Sequence, residues 1–156
     1  MEFHPIGVVR SPFKDQQGTP IQSAYAQDAP GEIVLEARFA EALADLADFE
    51  RIWVLYAFER AAPYKPKVVP YRDTVERGLF ATRAPCRPNP IGLSVLRLVR
   101  IEKNILHVSG IDMLDGTAVL DIKPYAPQFD AFPDSKAGWL DAKSATRRRA
   151  DRRFDK

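Results

Sequence analysis

A chain of 156 residues has room for one domain of ordinary size and none for a second. With 46% hydrophobic and 28% charged residues it can bury a core, which excludes wholesale disorder, and its single cysteine, Cys86, excludes an intrachain disulfide or a multi-cysteine zinc site. The net charge of +2 is unevenly spread: residues 143–156 hold seven basic residues against Asp151 and Asp155, a net of +5, which leaves −3 on residues 1–142. Apolar runs stop at a few residues, as at Trp53–Phe58, and the opening MEFHPIGVVRSPF has neither the apolar core nor the small-residue cleavage site of a signal peptide. A cytoplasmic protein with no membrane partner is expected.

Thirteen prolines, about 8% against the usual ~5%, cluster at 63–70, 85–90 and 124–133 and predict short strands joined by stiff connections. Residues 5–10 and Gly31–Leu35 predict strands on either side of a long polar loop, 14–30. Phe39, Leu43 and Leu46 recur at helical spacing and predict a short helix over Phe39–Ala47. Arg51–Phe58, β-branched and aromatic, is the strongest strand candidate. After the loop Ala61–Asp73 come a short strand at Gly78–Thr82 and a non-regular segment, Arg83–Pro90. Ile91–Ile101 predicts a long strand, Asn104 a tight turn, and Ile105–Asp112 an antiparallel return. Asp115-Gly116 is a pair that closes hairpins, Thr117–Ile122 predicts a further strand, and Trp139–Phe154 is a candidate helix. The pattern is mainly β: a small antiparallel β-barrel over residues 1–135 with one or two short helices, then a basic helix or tail over 136–156.

Neither GxGxxG nor GxxxxGK[ST] occurs, which removes the usual nucleotide fingerprints. His4 and His107 lack ligand spacing, so no metal site is expected, and Cys86 reads as a small side chain rather than a nucleophile. The loop Thr82–Gly92 is different. Three prolines stiffen it, and Arg83, Arg87 and Asn89 project from it as a pre-ordered set of donors for a carboxylate or phosphate. Gly92 would let a ligand approach the backbone. Asp121, Lys123 and Tyr125 form either a polar cluster at a barrel mouth or a surface ion pair beside a core tyrosine.

The stretches IGVVRSPFK (Ile6–Lys14), GTPIQ (Gly18–Gln22), IWVLYAF (Ile52–Phe58), LFATRAPCRPNPIGLSVLRL (Leu79–Leu98) and DMLDGTAVLDIKPYAPQFD (Asp112–Asp130) resemble the YaeB/VirR-type family, in the family's order. The resemblance implies a small β-barrel, S-adenosylmethionine (SAM) as methyl donor, and a homodimer with the cofactor near the subunit interface. It implies methylation of N6 of threonylcarbamoyladenosine next to a tRNA anticodon. Carried over by motif, the SAM contacts fall on Pro20, Ile21, Gln22, Arg83, Leu93, Ser109, Gly110, Ile111 and Asp112. Further SAM contacts fall on Glu59 and Arg60, which stand where the family commonly ends a strand with a His-Gln-like pair. Asp121, Tyr125 or water would assist loss of the acceptor proton, while Lys123, Arg87 and Asn89 would hold the threonyl carboxylate or flanking phosphates. The rival readings are a SAM- or RNA-binding module without catalysis, and methyl transfer to another small molecule or nucleic acid.

Overall fold

The structure is a computed structural model and describes residues 1–142 and 147–156. Six antiparallel strands close into a barrel: β1 (Gly7–Arg10), β2 (Pro30–Leu35), β3 (Arg51–Ala57), β6 (Ile91–Glu102), β7 (Ile105–Ser109) and β8 (Ala118–Pro124). Their order around the barrel is β1-β2-β7-β6-β3-β8. Closure comes from β1 against β8, where Gly7 faces Val119 and Val8 faces Ala118. Two-residue strands β4 (Lys67–Val68) and β5 (Arg77–Gly78) pair outside it.

Alternation along each strand fills the barrel. Ile52 and Val54 of β3, Leu96 of β6, Leu106 of β7 and Val119 of β8 are fully buried, and Ile33, Ile111 and Met113 pack among them. One face departs from the usual apolar-in, polar-out alternation. On β6 the inward positions are Gly92, Ser94, Leu96 and Leu98, while Leu93, Val95 and Val99 point out. Gly92 is required by packing: a Cβ there would land on the Tyr56 ring.

Several connections differ from the sequence expectation. The apolar spacing at 39, 43 and 46 does select the side chains that meet the core. The winding is nevertheless two 3-10 segments, Ala37–Leu43 and Leu46–Asp48, split by Asp45 in the left-handed region. So short a helix gains little from its own hydrogen bonds, and the span from β2 to β3 decides its path. Gly78–Thr82 is the end of β5 followed by a 3-10 turn, Leu79–Ala81. Asp115-Gly116 closes a turn, with Gly116 at φ +80, but no hairpin, because β7 and β8 are not neighbours in the barrel.

The expected helix at 139–154 is absent from the described residues: a 3-10 turn covers Gly138–Leu140, Lys143–Thr146 lie outside the description, and 147–156 is irregular, with isolated bridges at Arg149 and Asp155 on either side of a turn. A helix would stack Arg148 on Arg152 and Arg149 on Arg153, like charges at i,i+4. The segment instead lies against the body as a strap, bridging Pro20 through Arg149 and Ala61 through Asp155. Ala150 exchanges backbone hydrogen bonds with the 18–19 turn, donating to Thr19 O (2.8 Å) and accepting from Gly18 N (2.9 Å). Phe154 is buried in a satellite cluster with Val68, Leu79, Ala84 and Cys86, and meets Tyr71 edge-on at 5.0 Å.

Candidate functional site

A cavity of about 360 Å³ opens at the seam between the barrel end and the satellite cluster, within the size range of small-ligand sites. Tyr56, Gly92, Leu93 and Asp112 line it from the barrel side. Pro20, Ile21 and Gln22 come from the loop before β2, and Glu59 and Arg60 from the end of β3. The stiff loop supplies Thr82, Arg83 and Arg87, and the strap supplies Ala150 and Asp155. Arg83 reaches across the opening: its Nη1 donates to Gln22 Oε1 at 2.7 Å. That bond joins two loops 61 residues apart in sequence and points both polar heads at the cavity.

The loop Thr82–Gly92 is held by its own hydrogen bonds. Thr82 Oγ1 donates to Leu79 O (2.8 Å) and accepts from the Ala84 amide (3.2 Å). Arg87 folds back to donate to Thr82 O (3.0 Å), with its guanidinium 5.4 Å from the Phe80 ring centroid. Prolines remove backbone freedom before binding, so the donors are positioned in advance.

Asp112 is the electrostatic centre. Its Oδ1 is buried and has no hydrogen-bond partner among the described residues. Burial pushes its carboxyl up to about 6, against the opposing influence of Ser94, the backbone of Asp112 and Ser23, and Arg83. Beneath it the Tyr56 hydroxyl and Ser94 Oγ lie 3.2 Å apart. Burial, and then the neighbouring Asp112 charge, raise the Tyr56 phenol, so it stays protonated and available as a donor. A buried carboxylate oxygen without a donor is costly. Asp112 also lines the cavity, where a carboxylate can accept from a cation or a hydroxyl.

Residues 8–131 match the model of the tRNA-methyltransferase O N-terminal domain family. The chain belongs to that family. A probable S-adenosyl-L-methionine-binding protein of Pyrococcus abyssi is 46% identical over 139 residues, which span 89% of this chain and 76% of that protein. A tRNA (adenine(37)-N6)-methyltransferase of Escherichia coli is 36% identical over 154 residues, 92% of this chain and 66% of the relative. The crystal structure of TrmO from Pseudomonas aeruginosa superposes with a TM-score of 0.79 at 42% identity, covering 92% of this chain and 64% of that one. The chain therefore spans about two thirds of the length of those last two proteins.

In this tRNA-methyltransferase O N-terminal domain, Pro20, Ile21, Gln22, Glu59, Arg60, Arg83, Arg87, Leu93 and Asp112 converge on the cavity. The remaining candidates do not line it. Ile111 is fully buried in the barrel core and cannot cover a ligand ring. Ser109 donates to Asp28 Oδ1 at 3.4 Å, and Gly110, at φ +83, bonds through its amide to Ala29 O, so both fix the turn that aims Asp112. Asn89 is exposed at the tip of its loop. Asp121, Lys123 and Tyr125 lie at the far end of β8: Lys123 Nζ is 2.8 Å from Asp121 Oδ2, and the Tyr125 ring packs 5.7 Å from Trp53. Sequence reasoning missed Tyr56, Ser94 and the strap. A serine at an inward strand position was the available signal for the first two. The strap had none, because nothing local shows where an irregular segment will dock.

Proposed function

We propose that this chain is a SAM-dependent methyltransferase acting on N6 of threonylcarbamoyladenosine near a tRNA anticodon. The observation that carries the reading is Asp112, a carboxylate with one buried, unpartnered oxygen, in the wall of a cavity bridged by Arg83 and Gln22, in a chain of this family. The donor set fits SAM. Asp112 would accept from its ammonium or ribose hydroxyls, Arg83 would grip its carboxylate, Gln22 would read an adenine edge, and Leu93 would cover an apolar face. When bound, SAM supplies a methyl group already activated by its sulfonium. What the chain must then do is hold the acceptor nitrogen in line with that methyl group, within about 3–3.5 Å, and exclude water. Arg87, at the cavity, and Asn89, at the loop tip, are placed for the threonyl carboxylate or flanking phosphates.

The acceptor nitrogen lies between a purine and a carbamoyl group, so its N–H is acidic and needs only a weak base. Asp121, Lys123 and Tyr125 serve the reaction through a homodimer. Cross-strand register places Leu93 beside Leu55 and Leu55 beside Asp121, and likewise Val95 beside Trp53 and Trp53 beside Lys123. Both rows lie on the outer barrel face; the first runs from the cavity lip, at the half-exposed Leu93, and together they end at the polar pair. That apolar face supports a second copy of this chain as its cover, with SAM near the interface. The compartment is the cytoplasm, where the tRNA acceptor is; no helix among the described residues is long and apolar enough to cross a membrane.

The test is a calorimetric titration with SAM followed by labelled methyl transfer to tRNA carrying threonylcarbamoyladenosine. Micromolar binding at one SAM per subunit with transfer is the expected result. Binding without transfer would establish the second reading, a non-catalytic SAM-binding module, which the position of Asp121, Lys123 and Tyr125 outside the cavity favours.

A further inference from the structure

Residues 147–156 lie outside the matched family range, yet they form part of the cavity wall and carry a concentration of positive charge. Five arginines stand in this segment, and Asp151 neutralises two of them. Arg147 Nη1 is 2.6 Å from Asp151 Oδ2, and Arg153 grips both oxygens of the same carboxylate through Nε and Nη2. Those cations hold the Asp151 carboxyl well below its ordinary range, so it stays charged. Arg148, Arg149 and Arg152 have no carboxylate within ion-pair distance among the described residues.

Two of these three are positioned without being neutralised. Arg148 lies over the Tyr25 ring at 5.7 Å, and the other guanidinium over that ring, Arg72, donates to the Tyr25 hydroxyl at 2.7 Å. Arg149 lies 6.0 Å from the Phe13 ring centroid and gives one hydrogen bond, 3.2 Å, to Gly18 O. Contact with an aromatic face orients a guanidinium while leaving its charge intact, and a single carbonyl contact leaves most of its five donors free. The backbone is fixed as well: Arg149 bridges Pro20, and Arg148 O accepts from the Ile21 amide at 3.1 Å. Pro20 and Ile21 line the cavity, so the charges flank its rim.

We infer that the strap is a phosphate rail: Arg148, Arg149 and Arg152 grip the RNA backbone flanking the nucleotide presented to the cavity. The inference rests on the proposed tRNA acceptor and adds the surface that holds it. Fixed, unneutralised guanidiniums are suited to bidentate phosphate contact, and each contact releases condensed counterions. The negative body gives RNA no comparable field, so the strap supplies the attraction.

The experiment measures binding of a labelled anticodon stem-loop RNA to the full chain across a salt series, by fluorescence anisotropy. The variant is Arg148→Ala/Arg149→Ala/Arg152→Ala, which keeps Phe154 and the backbone pairing. The slope of log K against log salt should become shallower by about two, from three contacts at ~0.7 each, with roughly tenfold weaker binding at moderate salt. SAM affinity should stay within about twofold, since none of the three lines the cavity. Arg148→Lys/Arg149→Lys/Arg152→Lys should restore most of the slope, because lysine also binds phosphate as a point charge. An unchanged slope in the alanine variant overturns the inference. So does a loss of SAM affinity with unaltered RNA binding, which would make the strap a cavity wall and nothing more. Methyl transfer is read separately. A wild-type chain that shows the expected slope and transfers no methyl group refutes the proposed activity and leaves the rail standing.

Discussion

The barrel and the satellite cluster are held together in different ways, and the cavity lies between them. Each barrel strand is paired on both sides, and its core is a continuous set of buried aliphatic side chains. The satellite has one two-residue strand pair, five buried side chains and the strap that delivers Phe154. The barrel side therefore supplies the cavity groups that cannot move: Asp112, Tyr56 and Leu93. The satellite side supplies those that local opening can displace: Arg83, Arg87, Ala150 and Asp155. Binding at the seam should stabilise the weaker side more than the stronger one.

The comparison can be broken from the barrel side first. Ile52→Ala, at a fully buried position, should cost about 3 kcal/mol and lower the urea midpoint of the whole domain. Phe154→Ala should act locally. Its barrel unfolding should move by about 1 kcal/mol, while amides of 147–156 and the satellite loops lose hydrogen-exchange protection and SAM affinity drops roughly tenfold. If Phe154→Ala lowers barrel stability as much as Ile52→Ala, the two regions are one cooperative unit.

Asp112→Asn separates stability from binding. The carboxyl titrates higher in the fold than its ordinary 3.8, so its contribution to stability is full below that value and lost as pH rises through about 6. At pH 8 the buried charge is a burden, and the asparagine variant should be more stable than wild type by roughly 2 kcal/mol in denaturant melts. Its SAM affinity should fall at least tenfold. Wild-type affinity should weaken as pH drops through about 6, where Asp112 takes up a proton. A variant that is both less stable and unaltered in SAM binding would remove Asp112 from the site.

Arg83→Ala should weaken SAM binding about tenfold with little change in stability, since Arg83 is exposed and its described hydrogen-bond partner is one half-buried glutamine. Lys123→Ala should have the smallest effect on the fold. The ion pair with Asp121 is largely solvent-exposed and worth under about 1 kcal/mol. Lower turnover with unchanged SAM affinity would support its proposed role at a dimer interface; unchanged turnover would leave it a surface pair.

Much of the barrel was legible from local pattern. After the exposed Arg51 the β3 run RIWVLYA alternates buried and half-buried side chains, as its β-branched and aromatic composition predicts, and the tight turn at Lys103 and Asn104 joins β6 to β7 as expected. The cavity loops were legible from their prolines and arginines, because stiff polar connections suit ligands better than cores. Ser94 was harder. Its burial makes sense only beside Tyr56 and Asp112, which reach it from β3 and from just past the end of β7, the strands on either side of β6. Ile111, next to Asp112 in sequence, turns the other way into the core.

By itself the sequence determined the strand content, the stiff Thr82–Gly92 loop, the family motifs and the split between an acidic body and a basic segment, because each is a matter of composition, spacing or local backbone restriction. Only tertiary structure decided which polar residues share the cavity, which apolar positions face outward, and that residues 147–156 dock as a strap instead of forming a helix. Those outcomes depend on contacts between elements far apart in the chain. An inward serine, a turned isoleucine or an arginine over a distant aromatic ring leaves no periodic trace in the residues around it.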